Sequence, residues 1–170
     1  QIARVADLLS RQLEEQDFED KWALVNICWM GRRYDRVREL LDQTQRTEDN
    51  QWDWLFMMAT SCREMEDHEA ALKYRTELWE LCGKTGTDRP LALYMELGED
   101  YRLTGNDETA LEIYDEAAKV FGESPELCYR QASLLAEEKK NREAVAMCEK
   151  ALAGGFHREA TNLRLELLLN

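Results

Sequence analysis

The chain has 170 residues, of which 44% are hydrophobic and 34% charged, with only two prolines. Its 35 acidic and 22 basic residues give a net charge of −13, so duplex nucleic acid and an anionic membrane surface would repel it. The longest uncharged stretch, residues 22–31, is about half as long as a membrane-spanning helix. We therefore expect a folded chain that binds neither nucleic acid directly nor a membrane.

Cysteine usage indicates the redox environment. The number of cysteines is odd and no two are spaced as C-x-x-C, which favours reduced thiols in a cytoplasmic protein over a disulfide framework. Because the sequence begins at Gln1 without an initiator methionine, we expect it to be a fragment of a longer protein.

The elements follow from apolar periodicity between recurring glycine, proline and asparagine breakers, and strand signals are nearly absent. An amphipathic helix is predicted over 2–15, followed by four antiparallel helix pairs and a last helix over 157–169. The predicted pairs are 18–31 with 34–45, 51–65 with 67–82, 90–104 with 107–121, and 125–138 with 141–153. The segment 83–86, Gly-Lys-Thr-Gly, is predicted to be a flexible turn, because it lacks the first glycine and the preceding strand of a phosphate-binding loop.

One motif stands out in the third pair. Tyr94, Leu97, Gly98 and Tyr101 match the spacing aromatic-x2-Leu-Gly-x2-Tyr, and an Ala-x3-aromatic motif begins at Ala110. This segment resembles a tetratricopeptide repeat, a family of stacked two-helix units with a period of 34 residues.

The same period extends along nearly the whole chain. Adding 34 to Ala110 reaches Ala144, while Ala71 lies 39 residues earlier and Val37 another 34 before that. Small residues at such positions let neighbouring helices approach closely, which predicts structural rather than functional roles. The predicted structural positions are Val37, Ala71, Leu97, Gly98, Tyr101, Ala110, Tyr114, Ala117, Pro125, Ala132, Ala144 and Ala151.

The resemblance implies an all-α fold: a single domain over 1–170, built as a right-handed superhelical array of antiparallel helix pairs. The helix over 2–15 would precede these pairs, and the helix over 157–169 would cap the last one.

The resemblance also implies that first helices line a concave groove with the second, fifth, ninth and twelfth residues of each unit. The groove candidates are Trp22, Asn26, Trp29, Phe56, Thr60, Arg63, Met95, Glu99, Arg102, Tyr129 and Ser133, with the adjoining Glu96 and Arg130.

These residue types predict an apolar and aromatic groove with polar flanks. Such a surface suits a peptide or a segment of a partner protein, and Glu19, Asp53, Glu96 and Glu126 favour a partner that carries basic residues. Two alternatives remain open. The aromatic residues could serve only to pack neighbouring helices, and Arg63 with Arg102 could bind a carboxylate or phosphate.

The family's carboxylate clamp for acidic chaperone tails requires lysine, asparagine and arginine at set groove positions. Trp22, Met57 and Ala92 occupy three of these positions in the first register, and Glu96 would repel the terminal carboxylate of the ligand. We therefore expect no binding of chaperone tails.

Catalytic patterns are missing from the sequence. His68 and His157 are isolated histidines predicted at the surface, no nucleophile and base can be grouped at a helical spacing, and the cysteines lack a metal-ligand pattern. We therefore predict a non-enzymatic chain without a cofactor or metal.

Three functions remain. The first is a scaffold that binds a partner segment in the groove. The second is a ligand-sensing regulatory domain attached to a DNA-binding or enzymatic module. The third is an array that self-associates through its N-terminal edge.

Overall fold

The computed structural model describes residues 2–15 and 20–169, and these form ten α-helices with no strand. The helices are α1 (Ile2–Glu15), α2 (Lys21–Met30), α3 (Tyr34–Gln43), α4 (Gln51–Glu64), α5 (His68–Thr85), α6 (Leu91–Leu103), α7 (Asp107–Phe121), α8 (Pro125–Glu137), α9 (Asn141–Ala153) and α10 (Arg158–Leu169). Residue 18, where the first pair was predicted to begin, and Glu19 lie outside the described residues.

The largest difference from the predicted boundaries is at the end of α5. The segment 83–85 is the last turn of this helix, so the prediction of a flexible turn there was wrong. The amides of Gly86 and Thr87 both donate to the carbonyl of Cys82, and the Thr85 hydroxyl donates to the carbonyl of Leu81. These bonds satisfy carbonyls at the helix end and offset the weak helix propensity of Gly83.

The chain divides into two compact units, residues 1–88 and 89–170. In the first unit, each of α1 to α4 contacts the next helix in sequence. In the second unit, α6 pairs with α7, α8 pairs with α9, and α10 packs against both α8 and α9. Each unit therefore consists of helices that contact mainly their neighbours in sequence, as expected for a repeat.

Small side chains allow the paired helices to approach closely. Ala71, Ala110 and Ala144, at equivalent positions of α5, α7 and α9, are all fully buried. One close approach is in the second unit, where a Cβ added to Gly98 would lie 2.6 Å from Cζ of Tyr114. The Tyr114 ring therefore occupies the volume that a side chain at position 98 would need.

The turns inside the helix pairs share one hydrogen-bond pattern. The second residue after each first helix has a positive φ: Arg32 (57°), Glu66 (62°), Gly105 (76°) and Lys139 (62°). The following amide donates to the carbonyl five residues earlier, as from Asp67 to Cys62 and from Asn106 to Tyr101. This is a Schellman motif, which closes a helix by satisfying its last carbonyls.

The terminal helices bury little of their apolar surface. Among residues 2–13 of α1, Ala6 and Ser10 are the buried ones, whereas Ile2 is 72% and Val5 61% exposed. In α10 only Ala160 is buried, in a cluster with Cys128 and Ala151. The C-terminal helix thus covers the end of the second unit through a small contact, and Leu165, Leu168 and Leu169 stay exposed.

We predict that Gly98→Ala lowers the free energy of unfolding by about 1–3 kcal/mol, because the added methyl group overpacks against Tyr114. One repeat later the equivalent residues are Ala132 and Cys148. Adding Tyr114→Cys should therefore recover part of the loss, giving a favourable coupling in a double-mutant cycle measured by urea denaturation. Strictly additive effects would contradict the close contact.

The positive φ of the turn residues should affect the stability of the chain. Glu66→Gly should raise the free energy of unfolding and Gly105→Ala should lower it, each by about 1 kcal/mol, since only glycine adopts a positive φ without strain. No atom lies within 4 Å of a Cβ added at position 105, so backbone strain alone would be measured there. Effects of the same sign in the two variants, measured by urea denaturation, would argue against this explanation.

Candidate functional site

The candidate groove residues of the first unit lie on α2 and α4 and form an aromatic cluster. The Phe56 ring stacks on Trp52 with centroids 5.2 Å apart and meets Trp29 edge-on at 6.2 Å. Trp22 and Asn26 are half-buried one turn apart on α2, and the Asn26 amide donates to the Trp22 carbonyl at 2.9 Å. The aromatic side chains here pack on one another while retaining some exposed surface.

A buried arginine lies beneath this cluster and was not among the predicted groove residues. Arg75 on α5 has no exposed surface, its guanidinium lies 5.0 Å from the Phe56 ring centroid, and it donates to the Thr60 hydroxyl at 3.0 Å. A signal was available, because Arg75 precedes Tyr114 by 39 residues, the spacing that also relates Ala71 to Ala110. Arg75 therefore contacts two groove candidates, Phe56 and Thr60, on their buried side.

The remaining groove candidate of α4, Arg63, is half-buried in the last turn of this helix.

In the second unit, predicted groove residues from two consecutive first helices line one cavity of about 390 Å³. We call it the Tyr129 cavity. Residues of α6 and α8 form its sides, and Phe156, in the turn before α10, closes one end by packing on Tyr129 with ring centroids 5.0 Å apart. Its lining consists of Glu99, Arg102, Glu126, Tyr129, Arg130, Ser133, Glu137 and Phe156.

Glu99 organises the charges in this cavity. Its two carboxylate oxygens accept from Arg102 Nη2 at 2.7 Å and Nε at 3.2 Å, a bidentate geometry, and Oε2 also accepts from Arg130 Nη1 at 3.1 Å. The arginines reach outward as well, Arg102 to Glu137 at 3.3 Å and Arg130 to Glu126 at 3.3 Å. Hydrogen bonding to Glu99 raises the pKa of Arg102 above its ordinary value, so this guanidinium stays charged.

The network rests on Tyr114 of α7. Burial raises the pKa of the Tyr114 phenol, and the nearby Arg130 guanidinium opposes that shift. The phenol therefore stays neutral at ordinary pH, buried beside the charged groups.

Met95 and Glu96 belong to a second, smaller cavity of about 270 Å³, between the N-terminal parts of α6 and α8. Met95 is only 6% exposed, so most of its side chain is in the core. Arg130 and Glu126 line both cavities, which places the two along the same pair of first helices.

A separate apolar surface is present in the first unit. Ile2, Val5, Ala6 and Leu9 of α1, with Ile27 and Met30 of α2, line a cavity of about 320 Å³ that we call the α1 surface. It has almost no polar lining and contains none of the predicted groove residues.

Among the described residues, no group of three His, Cys, Asp or Glu side chains could hold a metal ion. His157 is exposed, but His68 is half-buried with its Nδ1 enclosed, so the prediction of a surface position for His68 was wrong. All five cysteines are buried thiols. No described helix combines the length and apolar character needed to cross a bilayer.

Solved structures share this arrangement of helices. The chain superimposes on YrrB, a protein described as a TPR protein with an unusual peptide-binding site, with a TM-score of 0.72 over 95% of this chain and 89% of that one, at 16% identity. The fold is that of a tetratricopeptide-repeat protein. TTC0263, a thermophilic TPR protein of Thermus thermophilus, gives a TM-score of 0.63 at 22% identity over 89% of this chain and 81% of its own.

A third similar structure contains a bound peptide. The Yersinia enterocolitica type III secretion chaperone SycD, in complex with a peptide of the translocator YopD, gives a TM-score of 0.60 at 16% identity and covers 74% of this chain and 98% of its own. No protein-family model and no curated protein sequence matches the chain. The tetratricopeptide-repeat fold is therefore established from structure at low sequence identity.

We predict that Glu99→Gln lowers the free energy of unfolding by about 1–3 kcal/mol, because it removes the carboxylate between two largely buried guanidinium groups. The matched control is Glu112→Gln, which makes the same change at an exposed position of α7 and should change stability by at most about 0.5 kcal/mol. Equal effects of the two substitutions in urea denaturation would show that net charge, rather than this network, is responsible.

Proposed function

We propose that the chain is a non-enzymatic protein-interaction scaffold that holds a segment of a partner protein on the exposed faces of its first helices. The observation that carries this proposal is the Tyr129 cavity, where predicted groove residues of α6 and α8 line one concave surface. A cavity that combines an aromatic wall with several fixed polar groups is the usual form of a recognition site.

The similar structures support this proposal. YrrB is described as having a peptide-binding site, and SycD was solved with a translocator peptide. A bound segment would place an anchor side chain against Tyr129 and Phe156, while neighbouring polar groups fix its register.

The alternative role of the groove arginines, binding a carboxylate or phosphate, is less well supported in the second unit. Arg102 already donates to Glu99 and Glu137. An anionic ligand would have to displace one of these carboxylates and would meet the others, so the charges favour a ligand with basic residues.

The α1 surface favours a second candidate function, self-association. Val5, Leu9 and Met30 are between 43% and 61% exposed, and burying such side chains against a second copy would be favourable. Concentration-dependent dimers in sedimentation velocity that disappear with Val5→Glu would support it, and a monomer at all concentrations would exclude it.

The test of the scaffold function is a selection of binding peptides from a random display library on the whole chain. We expect Tyr129→Ala to weaken the selected peptides tenfold or more, since it removes the aromatic anchor, whereas Val120→Ala, at an exposed position of α7, should leave affinity unchanged. Binding is measured by fluorescence anisotropy after circular dichroism confirms that both variants fold.

A second variant covers the case in which Tyr129→Ala disturbs packing. Ser133→Arg leaves the Tyr129 and Phe156 rings in place and fills the Tyr129 cavity with a large side chain. Peptides that keep full affinity for both variants would place binding elsewhere and contradict the proposal.

A further inference from the structure

We propose that the Tyr129 cavity is a subsite for the side chain of an arginine residue in the bound segment. The guanidinium group would stack on the aromatic wall and donate to an exposed carboxylate of the cavity, that of Glu126 or Glu137. This inference rests on the proposed function and specifies the chemistry that the cavity recognises.

The arginine hydrogen-bond donors of the cavity are already used by the protein. Both terminal nitrogens of Arg102 already donate to carboxylates, Nη2 to Glu99 at 2.7 Å and Nη1 to Glu137 at 3.3 Å. Those of Arg130 donate to Glu99 at 3.1 Å and to Glu126 at 3.3 Å, and its Nε is enclosed by protein. The strongest donors of the cavity are therefore engaged by the protein itself.

The cavity also presents oxygen atoms that can still accept hydrogen bonds. Glu126 and Glu137 each contact an arginine through Oε1, which leaves Oε2 able to accept, and their side chains are 58% and 48% exposed. The Ser133 hydroxyl donates its hydrogen to the Tyr129 carbonyl at 3.1 Å, so its oxygen can also accept. The ligand group that fits these atoms is rich in donors.

The net charge of the cavity favours a cationic ligand. Three carboxylates and two guanidinium groups line the cavity, so it carries one net negative charge within a chain of net charge −13. One additional cation in the cavity would neutralise it, and a carboxylate would double its net charge.

The aromatic wall distinguishes arginine from lysine. The rings of Tyr129 and Phe156 lie at 35° to each other with centroids 5.0 Å apart, and they border the carboxylates. A guanidinium is flat and weakly hydrated, so it can stack on such a ring while its edge donates to a carboxylate in bidentate fashion. The ammonium of lysine is compact and strongly hydrated, and it gains less from the same wall.

The test uses a small probe and the whole chain. N-acetyl-arginine amide is titrated into ¹⁵N-labelled protein, with N-acetyl-citrulline amide as the uncharged probe of matching shape. We expect saturable shifts of the amide signals of Arg130, Ser133 and Phe156 with arginine, and binding at least tenfold weaker with citrulline.

Two charge variants form a matched pair. Glu126→Gln with Glu137→Gln should weaken the arginine probe about tenfold, whereas Glu108→Gln with Glu112→Gln, at exposed positions of α7, should leave it unchanged. Equal losses in the two double variants would show nonspecific attraction to an acidic protein and overturn the proposal. It would also be overturned if citrulline, lysine or aspartate amide bound as tightly as arginine amide.

Failure of this inference can be told apart from failure of the scaffold function. Selected peptides that depend on Tyr129, lack arginine and keep their affinity after the double substitution of Glu126 and Glu137 would overturn the arginine subsite and leave the scaffold function standing. If the arginine probe binds as expected but every selected peptide ignores Tyr129, the scaffold proposal fails and the cation subsite stands.

Discussion

The close approach of the two helices in each pair is the constraint on which the structure depends. A pair of amphipathic helices of this length cannot bury its apolar faces unless the backbones come near enough for side chains to interdigitate. Fully buried alanines at equivalent positions of α5, α7 and α9 permit that approach. At Gly98 the absence of a side chain leaves room for the Tyr114 ring. The polar surface is then built on first helices whose separation these small residues set.

The repeated turn contributes a second constraint. The Schellman hydrogen bonds recur at Arg32, Glu66, Gly105 and Lys139, so each pair reverses direction at the same register even though three of these residues are not glycine. The strain of a positive φ is tolerated because the turn aligns the small residues of both helices. In the second unit this register places Glu99 of α6 within reach of Arg130 of α8.

The candidate site shows how a packed repeat can carry a specific surface. Tyr114 belongs to the core, and its phenol lies near Arg130, which donates to both Glu99 and Glu126. Because the arginines are engaged by protein carboxylates, they act as positioning groups, and the exposed acceptors and aromatic rings face the solvent. If these arginines were unpaired, the same residue types would present a surface that favours anionic ligands.

The sequence alone was sufficient for the period, the ten helices and the small residues of α5, α7 and α9, because apolar spacing and breaker residues act locally. It also named Glu99, Arg102, Tyr129 and Ser133, which the structure brings to one cavity. The extension of α5 to Thr85 rests on hydrogen bonds at its own C-terminal end, which the sequence pattern did not reveal. Only the tertiary structure decided the full burial of Arg75 against Phe56 and Thr60 and the contact of Arg130 with Glu99. Both depend on which groups meet across helices, where burial and charge pairing outweigh the local preferences that a sequence pattern reports.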